Sequence, residues 1–166
     1  MGAGAVGCFL GGKLARAGED VVFIARGERL HALRTQGLTI VEGSLETHVQ
    51  AFDAVAFAEE AGTVDVVLLC VKLFDLPAAI KLLDPLLGPE TYVVTTQNGV
   101  EAATNVANAI GEAHVVGGAV WVVASMTAPN VVECTGEWSG IEIAEALGEP
   151  SARTEALAAA CSRANV

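Results

Sequence analysis

Aromatic side chains are scarce: one Tyr, two Trp and five Phe make up only 5% of the 166 residues, so any core must be aliphatic. Charge is sparse too, at 17% against 52% hydrophobic residues, which excludes an intrinsically disordered chain and suggests elements buried on more than one face. Of the charges present, basic ones are the rarer. Nine Lys and Arg against 20 Asp and Glu leave a net charge of −11, and so acidic a surface repels a phosphate backbone, excluding nucleic acid as a partner. Long hydrophobic runs are also missing despite a mean hydropathy of +0.51. The longest uncharged stretch, Ala113 to Val132, is interrupted by His, Gly, Pro, Asn, Ser and Thr and is no spanning helix. No basic start leads into an apolar run with a small-residue cleavage site, so the expected location is the cytoplasm. Cys8, Cys70, Cys134 and Cys161 show no CxxC or Cys/His clustering, and read as reduced core thiols. His31, His48 and His114 have no partner at metal-ligand spacing, and no metal is expected. Trp121 and Trp138, without interleaved basic residues, read as core or pocket walls.

What the chain does contain is an alternation of helical and extended patterns. Ala5 to Ala17 carries apolar residues at helical spacing and stops at Gly18, suited to a left-handed cap. Val21 to Ala25 reads as a buried strand, Glu28 to Gln36 as a short helix closed by Gly37, and Leu38–Val41 with Leu45–Phe52 as a small hairpin. Val64 to Val71 is a continuous apolar strand ending in Lys72, followed by a helix over Leu76–Leu87 with Pro77 in its first turn. Thr91–Thr96 is a third strand, Glu101–Ile110 a helix, and a further strand lies within His114–Ala124. Val131–Cys134 and Ile141–Ala144 complete the strands, and Ser151 caps a helix over Ala152–Arg163. Continuous apolar strands separated by helices predict an α/β fold: a Rossmann-like, doubly wound, mostly parallel sheet with helices on both faces, forming one domain over residues 1–166. The sequence opens at the turn Gly2-Ala3-Gly4, where such a domain has already spent about six residues on its first strand, so the expectation is that this strand is missing.

Gly2-Ala3-Gly4-Ala5-Val6-Gly7 is a G-x-G-x-x-G at the mouth of a helix. Its first glycine permits a tight turn, its second lets backbone amides approach a pyrophosphate, and its third lets the helix pack closely. The alternative is a merely tight helix–strand contact. About 20 residues further on, where an NAD-binding domain carries Asp or Glu for the ribose hydroxyls, stands Arg26 with Arg29 close behind. A guanidinium there can meet the 2′-phosphate of NADP, so NADP is preferred over NAD, the alternative being an exposed arginine starting a loop. Lys72 at one strand end and Gln97-Asn98-Gly99 at another fall at the sheet's carboxyl edge, where open α/β folds bind ligands, although a solvated lysine and a plain Asn-Gly turn fit as well.

Together Gly2–Gly7, Ala25-Arg26-Gly27, Cys70-Val71-Lys72, Gln97-Asn98-Gly99-Val100, Thr135-Gly136 and Ile141-Glu142-Ile143 resemble the N-terminal NADP-binding domain of the ketopantoate reductase (2-dehydropantoate 2-reductase) family, over essentially the whole chain. The resemblance implies hydride transfer from NADPH to the ketone carbon of 2-dehydropantoate, giving pantoate for pantothenate and coenzyme A synthesis. By position, Gly2, Ala3, Gly4, Ala5, Val6 and Gly7 would hold the pyrophosphate and Arg26 the 2′-phosphate. Lys72 and Asn98 would line the cofactor and substrate crevice as supporting catalytic groups, Asn98 touching substrate as well, and Ala124 would contact cofactor through its backbone. The family's principal acid is a lysine on a C-terminal helical substrate domain, which the sequence does not reach. The expectation is therefore a cofactor-binding part with negligible activity alone, exposing an apolar face that makes a homo-oligomer plausible. Two other readings are an NADP-dependent dehydrogenase of another 2-oxo acid or opine-type substrate, and a non-catalytic NADP-binding sensor or partner subunit.

Overall fold

The computed structural model describes residues 1–99, 101–136, 138–145 and 148–166. Helix α1 (Ala5–Arg16) follows the glycine turn and ends as expected, with Gly18 at φ +97° and the Glu19 amide returning to the Leu14 carbonyl. Next come β1 (Val22–Ile24), α2 (Gly27–Gln36), the hairpin β2 (Leu38–Glu42) and β3 (Leu45–Val49), β4 (Asp53–Val55) and the single turn α3 (Ala58–Ala61). Then follow β5 (Val66–Leu69), α4 (Leu76–Ile80), β6 (Tyr92–Thr95), α5 (Glu101–Ile110), β7 (Val115–Trp121), β8 (Ala124–Ala128), β9 (Val131–Cys134), β10 (Gly140–Ala144) and α6 (Ala152–Arg163).

The main layer has two parts. One is β5, β6 and β7 in parallel, with Leu69 opposite Thr95 and Thr95 opposite Gly117, closed by antiparallel β10; the other is the parallel pair β1–β4. Side chains alternate into two apolar faces, as strands buried on both sides require. Val67, Leu69, Val93 and Val115 pack with Leu76, Leu83, Leu86 and Val106 on one face. Tyr92, Val94 and Val116 pack with Leu14, Leu157 and Cys161 on the other. Ser151 caps α6 through its hydroxyl, and the Arg153 guanidinium clasps the Glu145 carboxylate at 2.7 Å, holding α6 to the end of β10.

Between β1 and β5 runs a cavity of about 470 Å³ lined by Val22, Phe23, Val66, Val67 and Leu68. Met1 reaches its end: its nitrogen donates to the Leu68 carbonyl and its carbonyl accepts from the Cys70 amide, both at 2.8 Å, the pattern of a parallel ladder with β5. The chain thus enters the glycine turn from a strand position between the two edges.

The structure corrects several boundaries. The helix expected over Leu76–Leu87 stops at Ile80, because Pro85 has no amide to donate to Lys81 and its ring clashes with that carbonyl. Leu82 and Leu83 instead bond back three residues, to Ala79 and Ile80, and a 3₁₀ turn spans Asp84–Leu86. The hairpin is no isolated unit: β9 joins β2 in parallel and β8 adds to β9, giving a second sheet in the order β3-β2-β9-β8. Trp121 and Trp138 are not core; they are 52% and 83% exposed. β4 and α3 are too short to show a period, and β8, of sequence ASMTA, forms on small and polar residues because β9 offers it a partner edge.

The second sheet meets the first through α1. Cys8, Phe9 and Leu10 pack against Leu38, Ile40, Val132 and Cys134 on one side and Phe23 and Ala54 on the other. Lys13, 3% exposed on this helix, reaches Glu42 of β2 at 2.9 Å and lies 5.2 Å from the centre of the Phe9 ring. Glu42 keeps 28% of its side chain in water. Glu42→Gln strands the buried ammonium and is expected to cost about 1–3 kcal/mol, whereas Lys13→Met leaves a carboxylate that water still reaches and should cost under about 1 kcal/mol. Urea unfolding of both variants checks the asymmetry, and the reverse order would refute it.

All four cysteines are free thiols, Cys8, Cys134 and Cys161 buried. Cys8 is fully enclosed, and loss of water pushes its thiol up from an ordinary value near 9 to about 11. The unfolded chain releases that proton from about pH 9 while the folded chain holds it to about pH 11, so stability is complete below 9 and falls as pH rises. The loss attributable to Cys8 is expected to approach about 2–3 kcal/mol. Urea melts at pH 8 and 10.5 should show a shallower decline in Cys8→Ala than in the parent, and equal declines would remove Cys8 as a cause.

Candidate functional site

The glycine turn is built by contacts that leave no alternative residue at two of its three glycines. Gly2 sits at φ +86°, and a Cβ there would lie 2.8 Å from the Val71 amide nitrogen. A Cβ on Gly7 would lie 2.3 Å from the Gly2 carbonyl, so helix and turn touch backbone to backbone. Gly4 differs, because a Cβ there would meet nothing within 4 Å. Packing among the described residues does not require the second glycine, and the space over it leaves the backbone open to close approach.

Gly4 is also the N-cap of α1, with no capping side chain and no acidic residue in the first turn. The amides of that turn have no intrahelical acceptor, and the helix dipole adds positive potential beside them. An uncapped turn, an open space over Gly4 and no competing carboxylate fit a pyrophosphate.

Arg26 lies two residues beyond β1, at the N-cap of α2, exposed, and its guanidinium donates to no protein group among the described residues. The cation is free for a ligand phosphate. Arg29, close behind it in the sequence, is held by other partners: Nη1 donates to the Ala3 carbonyl at 2.9 Å and Nε to the Pro129 carbonyl at 3.1 Å.

The strand register brings the remaining groups to one edge. β5 ends at Leu69 and not at Val71, so Lys72 stands three residues past its strand, and Asn98 stands three past Thr95, the residue paired with Leu69. Both side chains are exposed at the carboxyl ends of neighbouring parallel strands. Val71, beside Lys72, is also the residue against which Gly2 packs, so the glycine turn and the Lys72 segment are in contact. Ala124 lies three residues past β7 and opens β8, half-buried against the cluster that contains Ala3 and Cys8. Gly2–Gly7, Lys72 and Asn98 thus converge on one edge of the sheet. Arg26 reaches that edge from β1, and Ala124 from β7.

One contributor had no signal in the sequence beyond its place in Gln97-Asn98-Gly99. The Gln97 carboxamide turns back across the strand ends and donates to the carbonyls of Leu69 and Val71 at 2.7 and 2.9 Å, while Thr96 Oγ1 donates to Leu69 at 3.0 Å. These bonds tie the segment carrying Lys72 to the segment carrying Asn98. Val100 lies outside the described residues. Among the described residues no three His, Cys, Asp or Glu side chains group as a metal site, and no helix is long and apolar enough to cross a membrane.

A family model described as ketopantoate reductase PanE/ApbA matches residues 1–148. A 2-dehydropantoate 2-reductase of Mesorhizobium japonicum is 34% identical over 179 residues, covering 95% of this chain and 54% of that protein. One from Pyrococcus abyssi is 32% identical over 137 residues, covering 82% and 44%. The crystal structure of 2-dehydropantoate 2-reductase from Geobacter metallireducens superposes with a TM-score of 0.93 at 30% identity, covering all of this chain and 55% of that one. The chain spans about half the length of the curated relatives it matches. With the glycine turn, the strand-end lysine and the Asn-Gly turn at one sheet edge, the chain belongs to the ketopantoate reductase PanE/ApbA family, and its fold is that of the family's Rossmann domain.

Proposed function

We propose that this chain is the cofactor-binding part of a cytoplasmic reductase that converts 2-dehydropantoate to pantoate with NADPH, residues 1–166 forming its NADP-binding domain. The observation that carries the reading is the convergence of an uncapped glycine turn, open over Gly4, with Lys72 and Asn98 at one sheet edge, beside Arg26, which is unpaired among the described residues. The first-turn amides of Ala5, Val6 and Gly7 take the pyrophosphate, and Arg26 takes the 2′-phosphate through charge-assisted bonds. When bound, the nicotinamide supplies the hydride. Lys72 brings a cation to the crevice, and Asn98 offers a donor and an acceptor for the nicotinamide side and for the substrate. Ala124 contributes a backbone contact from the far side. The principal proton donor belongs to a helical substrate domain outside these residues, so the chain by itself is expected to turn over 2-dehydropantoate negligibly. Exposed Leu73 and Phe74 after Lys72, and exposed Trp121 and Val123 around Ala124, support docking of such a domain at this edge. The same apolar side chains leave homo-oligomerisation open to the isolated chain.

A fluorescence titration with NADPH and NADH tests the cofactor. Saturable binding that favours NADPH by tenfold or more, about 1.4 kcal/mol, is expected, and Arg26→Ala should abolish the preference while leaving NADH binding intact. Equal affinities in the parent would remove the role of Arg26, and no binding of either nucleotide would overturn the reading.

The glycines separate ligand from packing. Gly4→Ala should cost the fold less than about 1 kcal/mol yet weaken NADPH, whereas Gly7→Ala, whose Cβ meets a backbone oxygen, should destabilise by about 2–3 kcal/mol. Thermal melts with and without NADPH check both, and an undiminished NADPH affinity in Gly4→Ala would count against the pyrophosphate site.

A further inference from the structure

Arg29 has a geometry that a phosphate ligand does not explain. From the first turn of α2 its guanidinium spans two carbonyls on two other elements, Ala3 in the glycine turn and Pro129 in the turn between β8 and β9. The β8–β9 turn is itself anchored: buried Asn130 donates through Nδ2 to the Gly37 carbonyl at 3.0 Å and accepts at its own carbonyl from the Thr39 amide at 2.8 Å. Arg29 therefore connects a fixed point of the second sheet to the loop that opens α1.

What it holds there is one peptide plane. The Ala3 carbonyl belongs to the Ala3–Gly4 peptide, whose N–H donates to the Gly2 carbonyl at 2.8 Å. That plane is clamped at both ends, by Arg29 at the oxygen and by Gly2 at the nitrogen. Without Arg29 the oxygen keeps, among the described residues, only the Cys8 thiol at 3.4 Å, a weak donor. The plane turns about Ala3 ψ and Gly4 φ, and the missing side chain at Gly4 lowers the steric resistance to a rotation that would exchange the places of its N–H and its carbonyl oxygen just ahead of the first-turn amides.

We propose that Arg29 is a positioning residue that sets the glycine turn for a pyrophosphate, while Arg26 alone reads the 2′-phosphate; this rests on the dinucleotide reading above. The planar fork is essential, because Nε and Nη1 present two N–H groups in fixed directions to two separate acceptors, which a single ammonium cannot do.

The test compares three probes, NADPH, NADH and adenosine 2′-phosphate, the last lacking a pyrophosphate, on the parent chain and on Arg29→Met, Arg29→Lys and Arg26→Ala. Both Arg29 variants should weaken NADPH and NADH alike by about tenfold, the loss of one charge-assisted hydrogen bond, and leave adenosine 2′-phosphate within about twofold. Arg26→Ala should do the reverse, losing adenosine 2′-phosphate and keeping NADH. Undiminished dinucleotide binding in Arg29→Lys would show that charge and not the fork matters, and overturns the proposal. So would weaker adenosine 2′-phosphate binding in either Arg29 variant, which means a phosphate contact or a damaged fold. If the parent binds neither dinucleotide, the cofactor reading fails first and takes this inference with it; if the parent binds both and the Arg29 variants bind equally well, the inference fails alone.

Discussion

Everything at the site depends on how closely α1 can approach the strands around it. The side chains on a helix face set how near its axis can come to whatever packs against it. This helix carries glycine where it must come closer: Gly7 against the Gly2 carbonyl, Gly11 against Phe23 of β1, and Gly12 against Leu38 and Ile40 of β2. At Gly11 and Gly12 an added Cβ would lie 2.6 and 2.5 Å from those side chains, so the helix is seated between two sheets by the atoms it lacks. That seating aims its N-terminus at the carboxyl edge of the main sheet, and the apolar cluster of Cys8, Phe9 and Leu10 holds it there.

The two-faced burial of β5, β6 and β7 supplies the second constraint. β5 and β6 lie parallel with their last residues, Leu69 and Thr95, paired, so residues equally far past those two ends fall at the same level of the sheet edge. Lys72 and Asn98 share an edge for that reason and not because they are close in sequence. Gln97 and Thr96 then lock the two ends with three hydrogen bonds to the carbonyls of Leu69 and Val71. The result places cations on a strongly acidic protein: with a net charge of −11, Arg26 and Lys72 stand exposed at an edge where an anionic cofactor would otherwise be repelled.

Much of this was legible in the residues. Val66–Leu69, Tyr92–Thr95 and Val131–Cys134 are short runs rich in β-branched residues, which strands favour, and Gly18 and Ser151 mark helix ends by a conformation and a hydrogen bond that their residue types favour. The G-x-G-x-x-G was legible because it opens a helix, and Arg26, Lys72 and Asn98 because each follows a strand. Other features had no local signature. β8 is a strand of small and polar residues that exists because β9 lies beside it, and the helix begun at Leu76 ends at Ile80 because a proline five residues later denies it a bond. Trp121 and Trp138 read as core or pocket walls from their chemistry, and their exposure excludes the first of these.

Local sequence therefore determined which segments become strands and helices, where the glycine turn falls and which side chains stand at strand ends, since propensity, periodicity and capping act over a few residues. Only the tertiary structure decided which strands pair, that the hairpin recruits β9 into a second sheet, and that Gln97 reaches across to Leu69 and Val71. It also decided that Arg29 faces the carbonyls of Ala3 and Pro129, acceptors 26 and 100 positions away. Such contacts are fixed by the burial of remote surfaces against one another, and no local pattern encodes which remote carbonyl a guanidinium will find.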